Sequence, residues 1–215
     1  MPVHKIKAII FDFDGVIMNS ERKKFDQLKR ILRGDGVHLR KSHFRKMLGK
    51  KTERFLKECF RDRLSQKRIS EIIAQRRDAL RKHPSEYGTM IADTKKVILR
   101  LKSDKKYSLA IATGTEKRIV TVLLKRMKLH DAFKVIITGN DVKESKPNPA
   151  VYEEALKRLK VKPANAAVVE DSPAGIRAAN SAGIKETVAL TTTQSRASLS
   201  RAKHIFMYLS QMKNW

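Results

Sequence analysis

From residue 94 onward the chain repeats one pattern, and that pattern limits the folds open to it. Short apolar runs at 108–113, 135–138 and 166–169 alternate with amphipathic stretches at 94–103, 116–128, 149–159 and 173–182. The runs have the length of buried strands and the stretches have helical periodicity; in 116–128, Ile119, Val120, Leu123, Leu124 and Met127 fall on one side. Strand–helix alternation of this kind implies right-handed βαβ crossovers and a parallel sheet with helices on both faces. Two further runs, 186–190 and 204–206, are expected as edge strands. The tail, 207–215, is expected as a short helical turn.

The sheet needs one more strand near the N-terminus. Ala8, Ile9, Ile10 and Phe11 form an apolar run suited to a strand buried on both faces. Asp12 and Asp14 follow, separated by Phe13, and in an extended chain alternate side chains share a face. Gly15 then permits a sharp turn. Sites of open α/β sheets lie at the C-terminal ends of strands. Two carboxylates crowded there repel unless a proton or cation intervenes, and oxygen ligands suit a hard ion such as Mg²⁺. Read alone, the two aspartates are equally an Asp-rich turn closing a strand.

Between this strand and the alternating region lies a helical segment. Phe25, Leu28, Ile31 and Leu32 make a helical stripe over 20–33, stopped by Gly34-Asp35-Gly36. Further helices are expected at 41–48, from Thr52 as a cap, and at 65–82 before Pro84. The expected division is a core of residues 1–17 and 88–215 with a helical insertion at 18–87.

Three more stretches carry chemistry. Thr113 and Gly114 end the second strand in IATGT, where a hydroxyl and free N–H groups at a strand-to-helix junction make an anion site. By itself that stretch is an ordinary helix cap by Thr115. Lys146 stands in ESKPNP, stiffened by Pro147 and Pro149; Asn148 is a weaker candidate for orienting nearby groups. Glu170 and Asp171 end the apolar run AAVVED, and Ser172 is the expected N-cap of the next helix. The six histidines show no zinc spacing.

DFDGV, then Thr113-Gly114, then Lys146-Pro147, then Glu170-Asp171 is an ordered set that resembles the haloacid dehalogenase-like (HAD) phosphatases, along nearly the whole chain and in their β-phosphoglucomutase-like branch. The resemblance implies a Rossmann-like core with a small helical cap. It implies a Mg²⁺-dependent phosphatase of a small organic phosphate monoester. Asp12 would be the nucleophile, forming an aspartyl-phosphate. Asp14 would be the general acid and base, with its backbone carbonyl on the metal. Thr113, Gly114 and Lys146 would hold phosphate, and Asp12, Asp14, Glu170 and Asp171 the Mg²⁺. The alternatives are a phosphosugar mutase, or a polyanion-binding protein on this scaffold.

The pattern departs from the resemblance in the insertion. Where relatives often carry DSExxxH, this chain has Ser20-Glu21 followed by Arg22, Lys23 and Lys24. The mutase's basic pair around a cap glycine is replaced by Leu48 and Thr52 around Gly49. Both departures favour hydrolysis over the mutase reading. Arg45, Lys46, Lys50 and Lys51 cluster at Gly49, and a basic loop closing over the site would favour an anionic substrate.

Composition sets the remaining bounds. Cys59 is the single cysteine of 215 residues, which excludes an intramolecular disulfide and fits the cytoplasm. Charged Lys5 and Lys7 interrupt any apolar leader, and no window approaches a membrane span. The formal net charge is +26, and half of it arises between residues 20 and 86, with 22 Lys/Arg against 9 Asp/Glu. Such a charge allows nucleic acid as a partner, but the cations are not interleaved with stacking aromatics. A small phosphorylated metabolite is the expected partner, and the chain is expected to be a monomer.

Overall fold

The computed structural model describes residues 5–48, 50 and 52–214. Its contacts divide the chain into a core unit, Met1–Asn19 with Met90–Trp215, and a second unit, Ser20–Thr89.

The core unit is built on six strands: β1 (Ala8–Phe11), β2 (Ser108–Ala112), β3 (Val135–Ile137), β4 (Ala166–Glu170), β5 (Glu186–Leu190) and β6 (His204–Phe206). They form one sheet in the order β3-β2-β1-β4-β5-β6, and every neighbouring pair is parallel. β1 is therefore interior, as its unbroken apolar run predicts; all four of its residues are fully buried. Glu186–Leu190 is a correction: it is not an edge but lies between β4 and β6. Its polar first residue, Glu186, is bonded by Lys203 and His204 where β6 begins. The edges are β3 and β6.

Four helices of the core unit connect these strands: Ala92–Asp104, Lys117–Arg126, Ala150–Leu159 and Pro173–Ser181. Alanines on the sheet face let the last two approach closely. Ala8, Ala110, Ala112 and Ala166 pack with Tyr152, Ala155, Leu156, Ala178 and Ala179 in one buried cluster. The tail after β6 contains a single 3₁₀ turn, Leu209–Gln211.

Among the described residues the second unit has four α-helices, Glu21–Arg33, Lys41–Met47, Thr52–Phe60 and Gln66–Lys82. Their apolar stripes meet in a separate core of Phe25, Leu28, Leu32, Met47, Phe55, Leu56, Ile69 and Ile72. The exposed faces are basic. Ser65 caps the last helix, accepting from the Arg68 N–H at 3.1 Å. Thr52 is the first helical residue rather than a cap, and its hydroxyl accepts from Arg76 at 2.7 Å. Gly49 and Lys51 lie outside the described residues. Lys50 is bonded to Glu58 of the same unit. Lys24, three residues after Glu21, is paired with it. Among the described residues no helix is long and apolar enough to cross a membrane.

Candidate active site

Strand register assembles the site. Phe11 is level with Ile111 on one side and Val169 on the other. One step further along each strand brings Asp12 beside Ala112 and Glu170. The Asp12 N–H continues the ladder to the Val169 carbonyl at 2.9 Å. Three segments far apart in sequence thus end at one height.

Lys146 ties them together. Its Nζ donates to Asp12 Oδ1 at 2.6 Å, to Glu170 Oε1 at 2.7 Å and to the Ala112 carbonyl at 2.9 Å. The ammonium also stands 4.8 Å above the Tyr152 ring. Burial alone would push this ammonium's pKa down, but Asp12 and Glu170 outweigh it and hold the pKa well above the ordinary lysine value.

Glu170 has both oxygens committed. Oε1 accepts from Lys146 and from the Tyr152 hydroxyl at 2.8 Å. Oε2 accepts from the Asp171 and Ser172 N–H groups at 2.9 and 3.0 Å and from the Ser172 hydroxyl at 2.9 Å. Burial opposes its charge, but these donors, led by Lys146, keep its pKa below the usual carboxylate value. Ser172 also caps the following helix, as expected, accepting from Gly175 N–H at 3.0 Å.

Asp12, Glu170 and Asp171 each bring a carboxylate oxygen within 4.8 Å of the others, and all three residues are buried. Burial pushes the Asp12 carboxyl up to about 7, against the pull of Lys146, with Glu170 and Asp14 adding repulsion. Burial, Glu170 and Asp12 likewise push Asp171 well above its usual value. One ammonium does not balance these acids. An all-oxygen cluster with surplus negative charge fits a hard divalent cation.

Asp14 stands slightly apart from that cluster. It is half-buried, and its Oδ2 accepts from the Thr115 hydroxyl at 2.7 Å. At the start of the following helix, Asn140 Oδ1 accepts from the Lys117 N–H at 3.1 Å. Thr113 is buried at the end of β2, and its hydroxyl accepts from the Thr115 N–H at 3.1 Å. Thr113, Gly114, Gly139, Ser145, Lys146 and Val151 line a cavity of about 150 Å³. Asn148 accepts from the Ala150 N–H at 2.9 Å, which makes it a helix cap.

Sequence reasoning missed four contributors. Tyr152 lies within the expected helix 149–159 and carries no motif. Thr115 read as a cap. Thr192 and Thr193 lie in a polar loop with no motif, yet Thr192 donates to the Gly15 carbonyl at 2.5 Å and Thr193 to Asp171 Oδ2.

The chain matches the haloacid dehalogenase-like hydrolases over residues 9–189, from β1 to the end of β5. It belongs to that family. The HAD match covers the site residues described above except Thr192 and Thr193, which lie just beyond its end. A HAD relative, the phosphorylated carbohydrates phosphatase of Thermotoga maritima, is 32% identical over 182 residues, covering 84% of this chain and 83% of that protein. Validoxylamine A 7'-phosphate phosphatase of Streptomyces hygroscopicus subsp. limoneus is 30% identical over 210 residues, 96% of each chain. Among solved structures, CbbY of Rhodobacter sphaeroides in complex with phosphate shares the fold. Its TM-score is 0.78 at 23% identity, over 97% of this chain and 96% of that one. β-Phosphoglucomutase of Clostridium difficile shares it at TM-score 0.75 and 21% identity, over 97% and 93%.

Proposed function

We propose that this HAD hydrolase is a Mg²⁺-dependent phosphatase acting on a small phosphorylated metabolite, with a phosphorylated carbohydrate as the favoured substrate class. The observation that carries the reading is the Asp12–Lys146–Glu170 bridge beside Asp171. It holds one carboxylate oxygen of Asp12 in place and leaves the other for attack.

Asp12 attacks phosphorus and forms an aspartyl-phosphate as the ester oxygen departs. Asp14, held by the Thr115 hydroxyl, gives that oxygen a proton. It then takes a proton from the water that hydrolyses the aspartyl-phosphate, which returns Asp12 and releases phosphate. Lys146 and the Thr113–Gly114 turn stabilise the transferring group's negative charge. Asp12 and Asp171, with the Asp14 backbone carbonyl, would hold Mg²⁺; Glu170, with five hydrogen-bond donors already on it, orients Lys146 and Asp171 instead. When bound, the cation supplies charge neutralisation for phosphate and nucleophile.

Hydrolysis is preferred to the mutase reading because Leu48 and Thr52 offer no cation at positions where the mutase has a basic pair. The carbohydrate class rests on relatives named as phosphatases of phosphorylated carbohydrates and of validoxylamine A 7'-phosphate. The test is a panel of sugar phosphates and other small phosphate monoesters, with Mg²⁺ or EDTA, read by phosphate release. Release from sugar phosphates that needs Mg²⁺ and vanishes in Asp12→Asn is expected. Isomerised sugar phosphate without phosphate release would install the mutase reading, and no turnover of any ester would reject both.

A further inference from the structure

Catalysis at the C-terminal end of the sheet uses little of the basic charge. The opposite end of the sheet, where the strands begin, is where the core unit collects lysines. Each strand is preceded within four residues by an exposed one: Lys7 before β1, Lys106 before β2, Lys134 before β3, Lys162 before β4, Lys185 before β5 and Lys203 before β6. Because all six strands run parallel, these positions share one end of the sheet. At about 4.8 Å per strand, the row spans roughly 24 Å.

A second feature adds to it. The non-glycine residues with left-handed backbone are Lys105, Lys128 and Lys160, at φ 53°, 56° and 58° among the described residues. They end the helices that lead down to this same face. Glycine is the unstrained choice there, and a side chain at left-handed φ is disfavoured by its Cβ. Part of that cost is offset by a cation near a helix C-terminus. The helix field does not account for lysines at the strand starts.

Acids on the face pair with two of the six lysines. Glu186 is occupied by Lys203 and His204, and Asp104 pairs with Lys106 at 3.4 Å. Among the described residues, Lys7, Lys134, Lys162 and Lys185 make no ion pair.

We propose that this face binds the phosphate backbone of duplex nucleic acid, without reading base sequence. A single-signed row of exposed ammonium groups complements the line of phosphates, and counterion release drives the binding. A cavity of about 1030 Å³ lined by Ile6, Lys185, Lys203, Phe206 and Met212 lies among these lysines, but among the described residues no exposed large apolar side chain marks a protein or membrane contact there. The exposed large hydrophobic residues among those described are Leu99, Met207 and Tyr208, and none of them precedes a strand. A protein interface has an apolar centre, and membrane insertion needs an apolar face. Stacking on single strands needs exposed aromatics, which the strand starts do not supply.

The test is fluorescence anisotropy of the full chain with a labelled DNA duplex across a salt series. The face variant is Lys7→Glu/Lys134→Glu/Lys185→Glu. The control variant, Lys29→Glu/Arg33→Glu/Lys41→Glu, removes the same charge from the second unit. The face variant should bind at least tenfold more weakly. The slope of log K against log salt should shrink by about 2.7, three phosphate contacts at roughly 0.9 each, while the control stays within twofold of wild type. Both variants should keep wild-type turnover of p-nitrophenyl phosphate. Should the face variant fail to fold, the same three lysines changed to Gln give the same comparison. Equal weakening in both variants would overturn the proposal, leaving a net-charge effect. Absence of duplex binding at low salt would overturn it, as would anionic phospholipid vesicles displacing the duplex at equal phosphate.

Discussion

Gly175 stands directly against Glu170: a Cβ at position 175 would lie 1.7 Å from Glu170 Oε1. The helix that follows β4 can seat the carboxylate only because this position has no side chain. Gly175→Ala should therefore displace Glu170 from Lys146 and Tyr152, costing about 2–4 kcal/mol through lost buried hydrogen bonds. Activity should drop with it. Thermal unfolding checks the cost, and a Tm within a degree of wild type would show that Glu170 is not confined as described.

Asp12→Asn should abolish turnover, by at least a thousandfold, while keeping the fold. The amide has the carboxylate's shape but not its nucleophilic charge. Stability should not fall, because one buried, mutually repelling carboxylate is removed. Phosphate release near the wild-type rate, with deamidation excluded by mass spectrometry, would refute the nucleophile.

Asp171→Ala should weaken Mg²⁺ activation tenfold or more. Loss of this carboxylate removes a ligand and a charge, and leaves the Thr193 hydroxyl only the Asp171 backbone carbonyl, at 3.3 Å. A Mg²⁺ titration of activity reads it directly. An unchanged midpoint would remove Asp171 from the metal site.

Without metal, stability should fall as pH rises from 5.5 to 8. Asp12 has its folded pKa raised from 3.8 to about 7, chiefly by burial, and Asp171 is raised as well, by burial and by the charges of Glu170 and Asp12. The folded state then holds protons that the unfolded chain has released, so unfolding becomes easier with rising pH. The slope per carboxylate is at most about 1.4 kcal/mol per pH unit in that window. In EDTA the Tm should be lower at pH 8 than at pH 5.5, by about 2–4 °C per kcal/mol lost. Asp12→Asn should flatten the trend, and Mg²⁺ should raise the Tm more at pH 8. A Tm that rises over this range in EDTA would contradict the carboxylate cluster.

The sequence by itself determined the classes of element and the chemistry at the strand ends. Period-two and period-3.6 patterns report burial on one side of a strand or helix, and burial is local information. So the unbroken run Ala8–Phe11 marked an interior strand, the Phe25–Leu32 stripe marked a helix, Asp12, Glu170 and Asp171 stood out as polar groups at the ends of apolar runs, and Lys146 stood out in its proline-stiffened stretch. The tertiary structure alone decided which strands are neighbours and which side chains meet. Glu186–Leu190 reads as an edge strand until Lys203 and His204 arrive from β6 to cover its first residue. Tyr152 is a helix residue with no motif until β4 brings Glu170 to its hydroxyl. Thr193 is a loop residue like its neighbours until Asp171 stands beside it. Parallel register sets these pairings through contacts between residues far apart in sequence, and no local pattern encodes the partner. The same register gathers a lysine from the start of each strand into one face, which no single stretch of the chain would reveal.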